Sequence, residues 1–220
     1  MRARMLGGVA AAATLLVAAP TNAAGEPPWT VESAKTVGAG HTVFWGQAGY
    51  PGIWLELIHG LDPTLEIGGK FAFNYGFEGI VDSSTLGLDF QFLLRKAFLD
   101  NGKVRIAGRF DPGLMLYFPS RATVVGLTFP IGVEFGFPVS SVVSINASFA
   151  LPMYVTFATG GTGFVLPMLF GGGVEYLIER NLALTFKLAM GPSIVVSSGY
   201  VGGSAPFTLN ALFGVAYRFE

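Results

Sequence analysis

The chain has 220 residues, 51% hydrophobic, 14% aromatic and only 12% charged, with a formal net charge of -1. Soluble domains carry about 25% charged residues, so half the usual charge is missing, and without a basic excess there is nothing to neutralise the phosphates of a nucleic acid. The chain has no cysteine, which removes disulfides, thiol catalysis, cysteine-based metal sites and a lipidated N-terminal cysteine together.

Residues 1–23 read as a secretory signal. Arg2 and Arg4 form its positive end, Leu6 to Ala19 its apolar core, and Pro20 breaks the core before Thr21-Asn22-Ala23. The apolar stretch is too short for a membrane helix, which needs about 20 residues. Residues 24–34 form a short leader opened by Gly25-Glu26-Pro27-Pro28, with no periodic pattern. The remainder, 35–220, has no linker and reads as one domain. No later run approaches the length of a membrane helix. An apolar chain without helical spans leaves the closed barrel, because only helices and closed barrels satisfy their backbone groups in lipid.

The last stretch shows the pattern best. In FTLNALFGVAYRFE, the residues Phe207, Leu209, Ala211, Phe213, Val215, Tyr217 and Phe219 are apolar. Between them lie Thr208, Asn210, Leu212, Gly214, Ala216 and Arg218, small or polar except for Leu212. A period of two this long fits a tilted membrane strand, which needs about 9–11 residues in the hydrocarbon. Turn signals recur in two interleaved sets, each with a step of about 40 residues, a hairpin repeat. They divide the chain into ten up-and-down strands, at 35–45, 53–60, 64–77, 85–98, 103–117, 122–136, 142–157, 164–178, 182–196 and 206–219. An eight-strand barrel with an N-terminal extension is the alternative. An even number puts both chain ends on one side, the periplasmic side in bacterial outer-membrane barrels.

One phase of each strand is almost entirely apolar, as in Leu86, Leu88, Phe90 and Phe92 or Phe129, Ile131, Val133 and Phe135. The other phase holds Gly, Ala, Ser, Thr and a sparse set of charges. The acids are Glu56, Glu66, Asp89, Asp111, Glu134 and Glu175; the bases are Lys70, Arg95, Arg105, Arg109, Lys187 and Arg218. This phase is too poor in charge for a solvated outer surface, so it faces a narrow, crowded lumen and the apolar phase faces lipid. Charges inside a lumen must find partners, so the twelve are expected to form a network that fills the middle of the barrel.

The alternation, the short turns and the C-terminal strand ending Tyr217-Arg218-Phe219-Glu220 resemble the small bacterial outer-membrane β-barrel proteins, the OmpA/OmpX-like group in the broad sense. The resemblance covers the signal and nearly all of the mature chain. It implies export, outer-membrane lipid as surroundings, and the barrel-assembly machinery as a partner that reads a terminal aromatic residue. Here Phe219 is penultimate and Glu220 follows. The resemblance implies location and fold, and no activity.

Catalytic signals are weak. His41 and His59 are the two histidines, and no serine stands at a diagnostic spacing from either, so the lipid hydrolases and acyltransferases of this membrane are the remote alternative to a non-enzyme. Gly68-Gly69-Lys70, Gly160 to Gly163 and Gly171-Gly172-Gly173 lack the phosphate-loop and dinucleotide spacings, so no cofactor is expected. The acids lie on separate strands rather than in one calcium-type loop, so no metal is expected either. Aromatics near strand ends (Trp45, Tyr50, Trp54, Tyr75, Tyr117, Tyr154, Tyr176, Tyr200 and Tyr217) read as interface girdles. Pro112, Pro130, Pro152, Pro167 and Pro192 do not fit a plain barrel, since each removes a ladder hydrogen bond. Each marks either a bulge or part of a weakened seam, a lateral port for an apolar or amphipathic ligand that Trp54, Leu93, Met115, Leu169 and Leu212 would line. The leading functional expectation is a side-chain-filled barrel with a structural or surface-binding role, and the port is the alternative.

Overall fold

A computed structural model describes residues 27–81, 84–119, 123–158, 161–198 and 205–219. The expected signal at 1–23, Tyr200 and Glu220 lie outside the described residues. Ten strands form the wall: β1 Thr42–Tyr50, β2 Gly52–Gly60, β3 Leu65–Gly76, β4 Ser84–Asp100, β5 in two segments (Arg105–Phe110 and Gly113–Tyr117), β6 Val124–Pro138, β7 Val143–Ala158, β8 in two segments (Gly161–Pro167 and Leu169–Glu179), β9 Leu182–Ser197 and β10 Phe207–Phe219. Each pairs antiparallel with its neighbours in sequence, and β1 pairs with β10 from Thr42↔Phe219 to Tyr50↔Ala211, which closes the ring. The barrel is therefore up-and-down, with ten strands rather than eight.

Alternation decides which way each residue points. Phe44, Phe92 and Phe213 face outward at 42%, 50% and 67% exposure, while Glu56, Glu66, Asp89, Arg95 and Arg105 are buried in the lumen. Large apolar groups outside and charges inside invert the soluble pattern, as a lipid-facing wall requires.

The first strand differs from its expected position. It runs from Thr42 rather than over 35–45, because Gly38 and Gly40 take positive φ (97° and 75°) and turn the chain. There Gly40 N–H donates to the Gly60 carbonyl at 2.8 Å and His41 N–H to the Gly38 carbonyl at 3.1 Å. Ahead of this corner the chain folds back into the barrel, and Trp29, Val31, Ala34 and Val37 are fully buried. Residues 29–37 are thus an internal plug at the end where β1 begins and β10 finishes, called here the terminal end. The opposite, far end is crossed by the β3–β4 connection. Its 3-10 turn, Phe77–Gly79, lays the Phe77 ring 4.5 Å from Tyr117 and 5.9 Å from Tyr154. Val81 N–H then reaches the Phe207 carbonyl at 2.9 Å, and Tyr50 Oη donates to the Ile80 carbonyl at 2.8 Å. Gly79 has φ 76°, and a Cβ there would stand 2.8 Å from the Leu209 carbonyl, so this crossing depends on glycine.

Two strands expected to be continuous, 103–117 and 164–178, are each interrupted, at Asp111-Pro112 and at Met168. The register explains why. Pro130 pairs with Pro152, and the Pro130 carbonyl accepts the Asp111 N–H at 2.9 Å, so the polar edge of Pro130 faces β5. Pro130 and Pro152 are then a non-hydrogen-bonded pair, and no rung is lost between β6 and β7. Pro152 turns its polar edge to β8, where the register of Tyr154↔Val165 and Leu169↔Ala150 puts Pro167 opposite it. Two residues without N–H meet where each should donate, so both bonds of that rung are missing. Pairing between β7 and β8 stops at Val165 and resumes at Leu169. At Pro112 and Pro192 the proline carbonyl still accepts, from Phe92 N–H at 2.8 Å and Met168 N–H at 2.9 Å, and only the return bond is lost. The five prolines form a belt across β5 to β9, and the belt is widest between β7 and β8.

Candidate functional site

The lumen is organised in three layers. At the terminal end, Arg95 on β4 lies between wall and plug. Its Nε is 2.6 Å from Glu66 Oε1 and its Nη1 3.3 Å from Glu134 Oε2. The same guanidinium donates to plug carbonyls, from Nη1 to Val31 and from Nη2 to Thr30 at 3.1 Å and Lys35 at 2.8 Å. Glu175 on β8 grips the other edge, accepting Val31 N–H at 2.8 Å, Glu32 N–H at 3.3 Å and Ser33 Oγ at 3.4 Å. Glu66 Oε2 accepts Val37 N–H at 2.9 Å. Trp29 Nε1 donates to the Arg180 carbonyl at 3.0 Å, with the Arg218 guanidinium 5.5 Å from its ring centre. Lys187 on β9 lies 3.4 Å from Glu32. An irregular segment buried in a barrel must satisfy its backbone somewhere, and the wall charges supply the partners. Arg105, also on this level, is fully buried with Nε 3.4 Å from Asp100.

The middle layer holds Arg109, whose Nη2 lies 3.0 Å from Glu56 Oε2, Nε 2.5 Å from Asp111 Oδ2 and Nη1 3.9 Å from Glu134 Oε1. Gln47 Nε2 donates to Glu56 Oε1 at 3.2 Å. Lys70 Nζ stands 3.6 Å above the centre of the Trp54 ring, a cation–π contact. At the far end, Asn74 Nδ2 donates to Asp89 Oδ2 at 2.7 Å and to Tyr117 Oη at 2.9 Å, and Tyr117 Oη donates to Glu78 Oε1 at 2.7 Å.

The twelve charges singled out in the sequence thus fall into all three layers, with Glu66, Arg95, Glu175, Lys187 and Arg218 turned to the plug. Glu32 and Glu78 were missed: the first lies in the patternless leader and the second in a turn, so neither shows an alternation phase. Several aromatics also differ from expectation. Trp45, Tyr117 and Tyr154 are at most 1% exposed and point into the lumen, so they are not girdle residues; Tyr75, Tyr176 and Tyr217 face outward. Trp45 shares the phase of Val43 and Gln47, and that parity overrides its place near a strand end. Trp54 also points inward, with Nε1 donating to Asn74 Oδ1 at 3.0 Å.

A cavity of about 120 Å³ lies in the middle layer. One side is polar, formed by Gln47, Glu56, Lys70, Arg109 and Asp111; the other, from β6 to β10, holds an apolar patch of Pro130, Ala150, Pro152, Leu169 and Ala189 beside Glu134, Ser148, Lys187 and Asn210. Of the apolar pocket residues named from sequence, Trp54 and Leu169 line this cavity. Leu93 packs beneath the plug, Met115 packs with Tyr117, and Leu212 is buried. His59 Nδ1 shares a hydrogen bond of 2.9 Å with Thr42 Oγ1 at the exposed start of β1. Among the described residues, no group of three or more His, Asp or Glu side chains is placed to hold a metal ion.

No protein-family model matches the chain, and no curated protein matches it either. Among solved structures it is similar to the outer-membrane protease OmpT from Escherichia coli, with 8% identity and a TM-score of 0.46 over 82% of this chain and 94% of that one. It is also similar to a loop-deletion mutant of the outer-membrane protein OmpT of Vibrio cholerae, with 14% identity and a TM-score of 0.34 over 84% of this chain and 61% of that one. For the KdgM porin in complex with oligogalacturonate the values are 13% and 0.34, over 82% of this chain and 99% of that one.

Proposed function

We propose that this chain is an integral outer-membrane barrel that does not conduct, its lumen crossed by its own N-terminal segment at one end and by the β3–β4 connection at the other. The apolar outer face supports the membrane placement. The observation that carries the closed lumen is the Arg95 guanidinium, which joins three plug carbonyls to two wall carboxylates. Displacing the plug would strip Glu175 of the three hydrogen bonds it accepts and part Lys187 from Glu32, and breaking a buried pair of this kind costs about 3–5 kcal/mol. The plug is therefore a permanent part of the barrel, and the protein serves the envelope as a structural or binding element rather than as a pore.

The test is single-channel recording of the refolded mature chain in a planar bilayer, with heat-modifiable migration as the check that the barrel is folded. The expected result is an absence of steady current. A reproducible conductance from the folded wild-type barrel would overturn the reading.

A further inference from the structure

We infer that the mid-lumen cavity is a binding site for an uncharged single-chain amphiphile, which enters from the bilayer between β7 and β8 and keeps its chain in that gap. The inference rests on the lumen being crossed at both ends, and it adds a route and a ligand.

The route follows from the proline belt. Between Val165 and Leu169 on β8, and between Tyr154 and Ala150 on β7, no ladder pairing holds the two strands together. Pro152 and Leu169, which bound this gap, also line the cavity. Backbone groups facing lipid without partners are unfavourable, and prolines on both strands remove the donors that would close the gap. Elsewhere along the belt at most one bond per rung is lost, so this is the place where the wall parts most easily.

The ligand follows from the two faces of the cavity. Its apolar face, with Pro130, Ala150, Pro152, Leu169 and Ala189, is the one next to the gap. Its polar face lies across the lumen. Asp111 Oδ1 there, and Asn210 Oδ1 on β10 beside Ala189, are buried and accept no hydrogen bond from the described residues. Lys70 Nζ rests on the Trp54 ring. Acceptors needing a donor, beside a donor held only by a π face, suit a head group that both donates and accepts. The charged lining residues are Lys70, Arg109 and Lys187 against Glu56, Asp111 and Glu134, so the formal charges cancel. A charged head would unbalance them in a desolvated site, whereas a hydroxyl or amide would not. By size the cavity is comparable to engineered cavities of about 150 Å³ that bind benzene. It takes a head and a few carbons, and the rest of the chain remains in the gap and the bilayer.

The probe is octanol bearing a photoreactive diazirine next to its hydroxyl, added to the full mature protein in lipid nanodiscs, with labelled residues mapped by peptide mass spectrometry. The expected labels fall on inward residues of the middle layer, Trp54, Asp111 and Asn210. Excess octanol is expected to compete, and octanoate or octylammonium at equal concentration is not. The double variant Pro152→Ala/Pro167→Ala restores both donors of the missing rung, and inward labelling should be lost with the barrel still heat-modifiable. Ala189→Leu fills the apolar face without touching the gap and should also abolish inward labelling. Labels confined to outward residues such as Phe92 and Phe170 would overturn the inference, as would competition by the charged analogues equal to that of octanol. Inward labelling that persists in the double variant would overturn the lateral route. This test and the conductance test fail separately, because a conducting barrel would admit octanol whatever residues stand at 152 and 167.

Discussion

The β2–β4 panel and the β7–β8 panel lie on the same barrel and are built on different terms. On β2 to β4 the register runs without a gap from Gly52↔Asn74 to Gly60↔Glu66 and on through Leu65↔Lys96 to Asn74↔Gly87. This panel presents Glu56, Glu66, Lys70, Asp89 and Arg95 to the lumen. On β7 the lumen face reads Ser144, Asn146, Ser148, Ala150, Pro152 and Tyr154, with no charge, and the ladder to β8 is broken at its middle. An ion pair in a low-dielectric interior is favourable only when its geometry is held. Five of the lumen charges are therefore seated on the continuous panel, and the rung that loses both bonds borders β7, which holds none. The continuous ladder and the missing rung thus lie on different arcs of the circumference.

The comparison is broken most severely on the charged panel. Arg95→Ala should lower the stability of the refolded barrel by about 3–5 kcal/mol, since it strands buried carboxylates and frees three plug carbonyls. Urea unfolding in lipid vesicles reads this, and a change below about 1 kcal/mol would mean that the network is not structural.

A subtler variant separates plug from wall. A Cβ on Gly136 of β6 would meet the Ser33 carbonyl oxygen at 1.8 Å, so Gly136→Ala should push the plug out while leaving the ring paired. Overpacking of this kind costs about 1–3 kcal/mol. Trypsin should then cut after Lys35 in a barrel that still shows heat-modifiable migration. Protection equal to wild type would refute the placement of residues 29–37.

On the other panel the expected shift is smaller and of opposite sign. Pro152→Ala/Pro167→Ala adds two hydrogen bonds worth about 0.5–1.5 kcal/mol each, offset by about 0.4–1 kcal/mol per lost proline through the unfolded chain. The sharper reading is amide exchange. In wild type, the amides of Ala150 and Tyr154, which face β8 on either side of the missing rung, should exchange faster than their counterparts at 55–57, and the variant should slow them.

The smallest effect is expected at the turn between β2 and β3. Asp62 Oδ1 accepts Thr64 N–H at 2.6 Å, Thr64 Oγ1 at 2.8 Å and Leu65 N–H at 2.8 Å. These bonds, the Thr64 amide first, hold its carboxyl below the usual carboxylate range. A lowered folded value contributes stability above the unfolded pKa, lost as pH falls through the folded one. A carbon-13 titration that places Asp62 at or above the ordinary value of about 3.9 would remove this turn from the account.

The wall was legible because its signal is a parity, and parity survives from sequence to structure. Glu66, Lys70 and Arg95 could be set on the lumen side from the alternation alone. The plug was not legible, since an irregular segment has no period; Trp29 and Val31 stood as apolar residues in a leader that offered no face to assign them to, and Val37 was set in a first strand that begins only at Thr42. Tyr117 and Tyr154 were misplaced for another reason. Aromatics near strand ends favour the interface on average, but their parity with Arg109 and with Ser148 already put them inside. Where composition and parity disagree on a strand, parity decides, because it reports a geometric constraint. The prolines were visible one by one. That Pro152 and Pro167 face each other required the register, which depends on pairings between strands.

The plug also bears on the order of assembly. It is joined to β1, the strand that completes the ring against β10, and it lies at the end where β1 begins and β10 finishes. The ring can close first and the plug dock afterwards, much as a stopper goes into a finished bottle. A nascent barrel would then pass through an unstoppered stage, with Arg95 and Glu175 hydrated and the lumen covered only at its far end.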